Sequence, residues 1–170
     1  MIMPLPHLGT DIVHLPRILR LLTRPGYLTR FTTRILTDRE RADFRARFAL
    51  PTPMPTPQDK TTNGNLDENH EMKTPVSRDM ASWLAGRFAA KEAARKAVPL
   101  GAGSVGWKDV RVFVPAPGPE GSKERTMDGK SRKPQIEVLG PEGKGLGLEA
   151  RVSISHDADY VVATVLVGEG

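Results

Sequence analysis

Apolar positions recur along this chain with two different periods, and those periods lay out a mixed fold. His7-Leu-Gly-Thr-Asp-Ile-Val13 reads as a short strand interrupted by a glycine. Ile12, Leu15, Ile18, Leu19 and Leu22 then recur at helical spacing, with Pro16 suited to the first turn. Thr37-Asp-Arg-Glu40 is a capping-box sequence that opens a helix to about Phe48. A long helix is predicted from about Asp79 to Val98. Val110–Val114 and Gln135–Leu139 read as strands, and Arg151–Ser155 and Tyr160–Val167 flank a tight hairpin at His156-Asp-Ala-Asp159. The expected class is α+β: a small antiparallel sheet packed against one long helix and two shorter ones.

Two segments lack any period. Residues 51–78 carry prolines at 51, 53, 55 and 57 followed by polar residues, and 115–134 is rich in Pro, Gly, Lys and Arg. Such stretches bury too little apolar surface to offset ordering, so both read as flexible insertions in a single domain spanning 1–170. A chain of 170 residues is short for two cores.

Composition narrows the chemistry. There is no cysteine, which excludes disulfides, thiol nucleophiles and thiolate metal sites. No apolar run approaches the ~18 residues of a membrane span. Met1-Ile-Met-Pro-Leu-Pro6 has the character of neither a signal nor a transit peptide. The expectation is a soluble intracellular protein with no membrane partner, cytoplasmic by default, or mitochondrial if the source is a eukaryote. The net charge of +5 is concentrated: between His14 and Arg47 nine arginines face only Asp38, Glu40 and Asp43, a local excess of six positive charges. A basic surface of this kind calls for an acidic partner. Nucleic-acid modules usually add stacking aromatics, and the phenylalanines here fall at core positions, so an acidic protein fits better than nucleic acid.

The long helix carries organised charge. At 100° per residue, Leu84, Phe88, Glu92 and Lys96 form one slanted line, with Arg87, Lys91 and Arg95 on a parallel one. A carboxylate among cations suits a magnesium-and-phosphate site, the carboxylate as hard oxygen ligand and the cations on phosphate oxygens. The plainer reading is a solvated face on which Glu92 pairs with Lys96 at i,i+4.

Three motifs line up with that helix. Gly9-Thr-Asp-Ile-Val13 puts Asp11 at a strand-to-helix junction, Gly86-Arg-Phe-Ala-Ala-Lys-Glu-Ala-Ala-Arg-Lys96 puts Glu92 and Lys96 mid-helix, and Val152-Ser-Ile-Ser-His156 puts a histidine at a strand end. Together they resemble the holo-acyl-carrier-protein synthase family, the small 4′-phosphopantetheinyl transferases. The likeness continues through Arg30–Glu40, Trp107-Lys-Asp-Val110 and Tyr160–Val165, and covers nearly everything but the two insertions. The insertions point to a eukaryotic, fungal member. The chain departs from the family at Pro99-Leu100, placed ahead of Gly101-Ala-Gly103, so no coenzyme A contact is assigned to that turn.

The resemblance implies transfer of 4′-phosphopantetheine from coenzyme A to a serine of an apo acyl carrier protein, with release of adenosine 3′,5′-bisphosphate, as in fatty acid biosynthesis. It implies magnesium held by Asp11 and Glu92, with Asp157 a further candidate ligand. Lys96 matches the lysine that neutralises or protonates the leaving phosphate, and Arg87, Lys91 and His156 match contacts to coenzyme A. Glu92, Lys96 and His156 are the candidate catalytic residues; Glu92 through a held water, His156 and Asp157 all remain open as the base. Simpler roles stand beside these: Asp11 as a helix cap, and His156 and Asp157 as turn residues.

The family also docks its carrier on the first helix, which here assigns Arg17 and Arg24 to the acidic carrier with Leu21 as the apolar contact between them. It implies a homotrimer with active sites between subunits. The competing reading is a nonenzymatic basic adaptor that binds nucleic acid or an acidic protein, supported by the arginine-rich segment alone.

Overall fold

The computed structural model describes residues 5–51, 75–99, 101–115, 133–139 and 148–168. In chain order these form strand β1 (His7–His14), helices α1 (Leu15–Leu22), α2 (Tyr27–Ile35), α3 (Asp38–Arg47) and α4 (Arg78–Ala97), and strands β2 (Val110–Phe113), β3 (Gln135–Val138), β4 (Glu149–Asp157) and β5 (Tyr160–Gly168). A single 3₁₀ turn, Trp107–Asp109, leads into β2. The α+β class is as expected, with two differences. The strands divide into an antiparallel three-stranded sheet, β1-β5-β4, and a two-stranded ribbon, β2-β3. Among the described residues there are three shorter helices rather than two. The additional one, α2, begins after Gly26, which turns the chain at a φ of 66°. The greater part of both proposed insertions lies outside the described residues.

The sheet register sets the positions of the site. Asp11 of β1 pairs with Ala163 of β5, which pairs with Ile154 of β4; Val13, Val161 and His156 form the next row. Residues in one row share a face, and successive residues alternate. Val161, Ala163, Val165 and Val167 are buried on one side. Asp11, Ile154 and His156 therefore lie on that same side, which α4 covers.

α4 crosses the sheet diagonally. Gly86 lies over Ile154, where an added Cβ would rest 3.6 Å from Cγ2. Further along, Gly9 meets the Ala93–Ala97 turn backbone to backbone. Ala81, Ala85, Ala89, Ala90, Ala93, Ala94 and Ala97 are all buried, so the helix presents small residues on every core-facing side. At its start, Arg78 donates to the carbonyl of Ala158 and pairs with Asp159 at 3.1 Å, fastening the helix to the β4–β5 turn.

The capping box at Thr37 forms as expected: the Glu40 N–H donates to Thr37 Oγ1 at 3.3 Å and the Thr37 N–H to Glu40 Oε2 at 2.8 Å. Glu40 does more than cap. It is buried against Lys91, whose ammonium lies 2.7 Å from Oε2 and also donates to the carbonyls of Trp107 (2.9 Å) and Val110 (2.6 Å). Glu40 Oε1 accepts the Val112 N–H at 3.0 Å. One buried ion pair thus ties α3, α4, the 3₁₀ turn and β2 together, with every donor and acceptor used.

Candidate active site

The close approach of Gly9 to α4 brings the next helix-facing residue of β1, Asp11, alongside the last turns of the helix. Lys96 reaches across: its ammonium donates to Asp11 Oδ1 at 2.8 Å and to the Thr10 carbonyl at 3.0 Å. An ammonium has three N–H donors, so among the described residues one is left that could serve a substrate oxygen. Asp11 sits within β1, and the residue preceding α1 is His14, so Asp11 is not that helix's cap.

Glu92 lies one turn before Lys96, but the two do not pair. Glu92 Oε1 accepts from Arg95 Nη1 at 3.0 Å and from the indole N–H of Trp107. Both carboxylates are mostly shielded, Asp11 at 17% and Glu92 at 20% side-chain exposure. Among the described residues, Asp11 Oδ2 and Glu92 Oε2 have no protein hydrogen bond. Two shielded carboxylates, each with an uncommitted oxygen, fit magnesium, which binds one or two carboxylates and completes its shell with water and phosphate oxygens. No group of three or more His, Asp or Glu residues suited to a metal occurs among the described residues.

The other predicted residues fall elsewhere. Lys91 is a correction: its side chain is fully buried on Glu40 and two carbonyls, so it has no reach to a coenzyme A phosphate. Burial draws its ammonium below its ordinary range, more strongly than Glu40 raises it. Asp157, the further candidate metal ligand, does not meet Asp11 within one chain. The pleat turns it to the opposite face of the sheet from Asp11, two strands away. His156 shares Asp11's face but stands across β5, about 10 Å over at two strand spacings.

Arg87 is half-buried on another side of α4, its guanidinium 3.2 Å above the Trp83 ring. Desolvation pulls its pKa down to about 10 against the opposing pull of Glu40 and Asp43, and its Nε is buried without a hydrogen-bond partner among the described residues. Neither Arg87 nor His156 bonds Asp11, Glu92 or Lys96. Arg17 on α1 and Arg24 just beyond it are exposed, and Leu21 is half-buried. Arg17 and Leu21 share one face at i, i+4, opposite the buried Leu15, Ile18 and Leu22, but the expectation of a single helix carrying all three is corrected: α1 stops at Leu22 with Thr23 as its C-cap, and Arg24 stands in the bend that follows.

This arrangement can be set against known proteins. A family model for the 4′-phosphopantetheinyl transferase superfamily matches residues 7–165. The chain belongs to that superfamily. As a member of it, the chain is 48% identical over 171 residues to 4′-phosphopantetheinyl transferase B, mitochondrial, of Aspergillus fumigatus, covering 97% of each chain. It is 32% identical over 163 residues to the holo-[acyl-carrier-protein] synthase of Gloeobacter violaceus, covering 96% of this chain and 92% of that one. The fold matches the holo-(acyl-carrier-protein) synthase of Bacillus anthracis, a crystal structure in complex with CoA (3′,5′-ADP), with a TM-score of 0.59 at 24% identity over 98% of this chain and 100% of that one.

Reading the sequence alone misses the two residues that bond Glu92. Trp107 enters only as part of a motif, and Arg95 only as part of a basic line. The signal for Arg95 is its i,i+3 spacing from Glu92; Trp107 gives none, because its contact with Glu92 is made by the fold.

Proposed function

We propose that the protein transfers 4′-phosphopantetheine from coenzyme A to a serine hydroxyl of an apo acyl carrier protein, releasing adenosine 3′,5′-bisphosphate. The observation that carries this reading is the Asp11–Lys96 pair at the β1–α4 crossing of a superfamily chain, with Glu92 one helical turn before Lys96. Asp11 and Glu92 would hold magnesium. Bound there, the ion supplies charge neutralisation at the pyrophosphate. Lys96 gives its remaining N–H to an oxygen of the leaving phosphate, where negative charge grows as the bond breaks. Asp11 and the Thr10 carbonyl orient that ammonium.

Arg87 and His156 are assigned to coenzyme A phosphates. Since neither meets the Asp11 cluster within one chain, the reading has them complete the site of a neighbouring subunit in a homotrimer. What supports assembly is the uncovered face of the large sheet. Leu8 pairs with Leu166, Ile12 with Val162 and His14 with Tyr160 on that face, and Leu8 and Ile12 are 62% and 63% exposed. A strip of this kind marks an association surface. Arg17, Leu21 and Arg24 are assigned to the acidic carrier protein. No helix among the described residues is long and apolar enough to cross a membrane. The name of the Aspergillus relative supports a mitochondrial location.

The test is incubation with coenzyme A, magnesium and several apo carrier proteins, read by intact mass. Addition of one phosphopantetheinyl group to a carrier is expected. Unmodified carriers throughout, with salt-sensitive binding to random DNA, would favour the basic-adaptor reading instead.

A further inference from the structure

Glu92 is a long, flexible side chain on a helix flank, and fixing such a chain costs rotamer freedom. Here two donors converge on the same oxygen. The Trp107 indole N–H and Arg95 Nη1 both donate to Oε1, and Oε2 is left over. Each donor is itself fastened. Arg95 donates Nε to the Val105 carbonyl at 2.7 Å and Nη2 to the Ala102 carbonyl at 2.8 Å. Trp107 is held from behind by Lys91, which donates to its carbonyl at 2.9 Å and is anchored on buried Glu40. Its ring packs against Phe88 and carries the guanidinium groups of Arg34 and Arg95 at 4.7 and 5.1 Å from the centroid.

From this we infer that Trp107, together with Arg95, is a positioning residue for Glu92: the pair occupies Oε1 and fixes the carboxylate so that Oε2 is presented to the metal. The inference rests on the reading of Glu92 as a magnesium ligand. An indole N–H donates and cannot accept, so the contact holds only while Glu92 offers a lone pair. The residues at 101–107 are thereby coupled to the metal ligand: Arg95 grips the segment at Ala102 and Val105, Lys91 grips it at Trp107, and Trp107 returns to Glu92. Partners of this outer kind typically change metal affinity or activity 10–100-fold when removed.

The test is Trp107→Phe, which retains an aromatic ring for Phe88, Arg34 and Arg95 and removes the N–H. Binding of Mn²⁺ to the full chain with saturating coenzyme A is followed by electron paramagnetic resonance, in wild type, Trp107→Phe, Glu92→Gln and the double variant. The expected result is Mn²⁺ affinity about 10-fold weaker in Trp107→Phe, with kcat largely recovered at saturating magnesium. In the Glu92→Gln background, Trp107→Phe should add nothing, because both act on one ligand. Wild-type Mn²⁺ affinity in Trp107→Phe, alongside its loss in Glu92→Gln, overturns the positioning role and leaves the Glu92 assignment standing. Equal weakening in both backgrounds also overturns it, since the effect would then bypass Glu92. Wild-type affinity in Glu92→Gln overturns the ligand assignment and the inference with it. Arg95→Lys is read by the same criteria and carries the test if Trp107→Phe melts well below wild type.

Discussion

A Cβ built on Gly9 would lie 1.9 Å from the carbonyl oxygen of Ala93 and 2.8 Å from the Ala97 nitrogen. Both neighbours are backbone of the last turn of α4 and cannot step aside as a side chain would. Glycine at this position lets β1 and α4 touch, and that contact sets the separation between Asp11 and Lys96.

Gly9→Ala is therefore expected to destabilise the fold by at least about 2–3 kcal/mol, at the upper end of overpacking costs. Urea denaturation measures it. Because the substitution pushes β1 off the helix, activity of the remaining folded protein falls as well. A variant with wild-type stability would show that the strand and helix are not in backbone contact.

Glu92→Gln is near-isosteric but loses the anionic oxygen, so transfer is expected to be abolished while the circular dichroism spectrum and melting temperature hold. Wild-type rates at limiting magnesium would remove Glu92 from the metal site. Lys96→Ala is expected to lower kcat more than it raises the KM for coenzyme A, because its charge matters most as the leaving phosphate develops.

Lys91→Met leaves Glu40 charged in the core without its counter-ion. Breaking a buried pair from one side costs about 3–5 kcal/mol, which chemical denaturation would register. The pH dependence has a definite sign. The folded-state pKa of Lys91 lies below the ordinary 10.5 because desolvation outweighs Glu40. Between the two values the unfolded chain binds the extra proton, so stability from this group rises with pH across that window. Lys91→Met is expected to remove that alkaline rise.

Arg17→Glu with Arg24→Glu separates carrier docking from chemistry. Both side chains are exposed, Arg17 on α1 and Arg24 in the bend after it, and reversing them sets like charge against an acidic carrier, a change of several kcal/mol. The KM for carrier is expected to rise about 100-fold, equivalent to ~2.8 kcal/mol, while that for coenzyme A holds. For the wild type, the carrier KM should climb with salt, since exposed charges are screened within about 8–10 Å. A shift in the coenzyme A constant instead would place this helix on the nucleotide side.

The sequence by itself determined the periodic elements and the order of the chemical motifs. Helical spacing at Leu15, Ile18 and Leu22, the capping box at Thr37 and the alternation in β5 are local signals, and the structure forms all three. Asp11, Glu92 and Lys96 could be named because motifs are read in one dimension. Only the tertiary structure decided which charges meet. Glu92 and Lys96 are spaced as an i,i+4 pair, yet each is drawn to a partner of its own, Arg95 with Trp107 for the first and Asp11 for the second. Lys91 sits on the same helix as Lys96 and could not be told apart from it by spacing. Its burial depends on α3 delivering Glu40 from 51 residues away. Asp157 follows His156 directly, and the alternation of the pleat alone puts the two on opposite faces. Charge type is written in the chain, but whether a charge meets solvent, substrate or a buried counter-ion is settled by packing between distant segments.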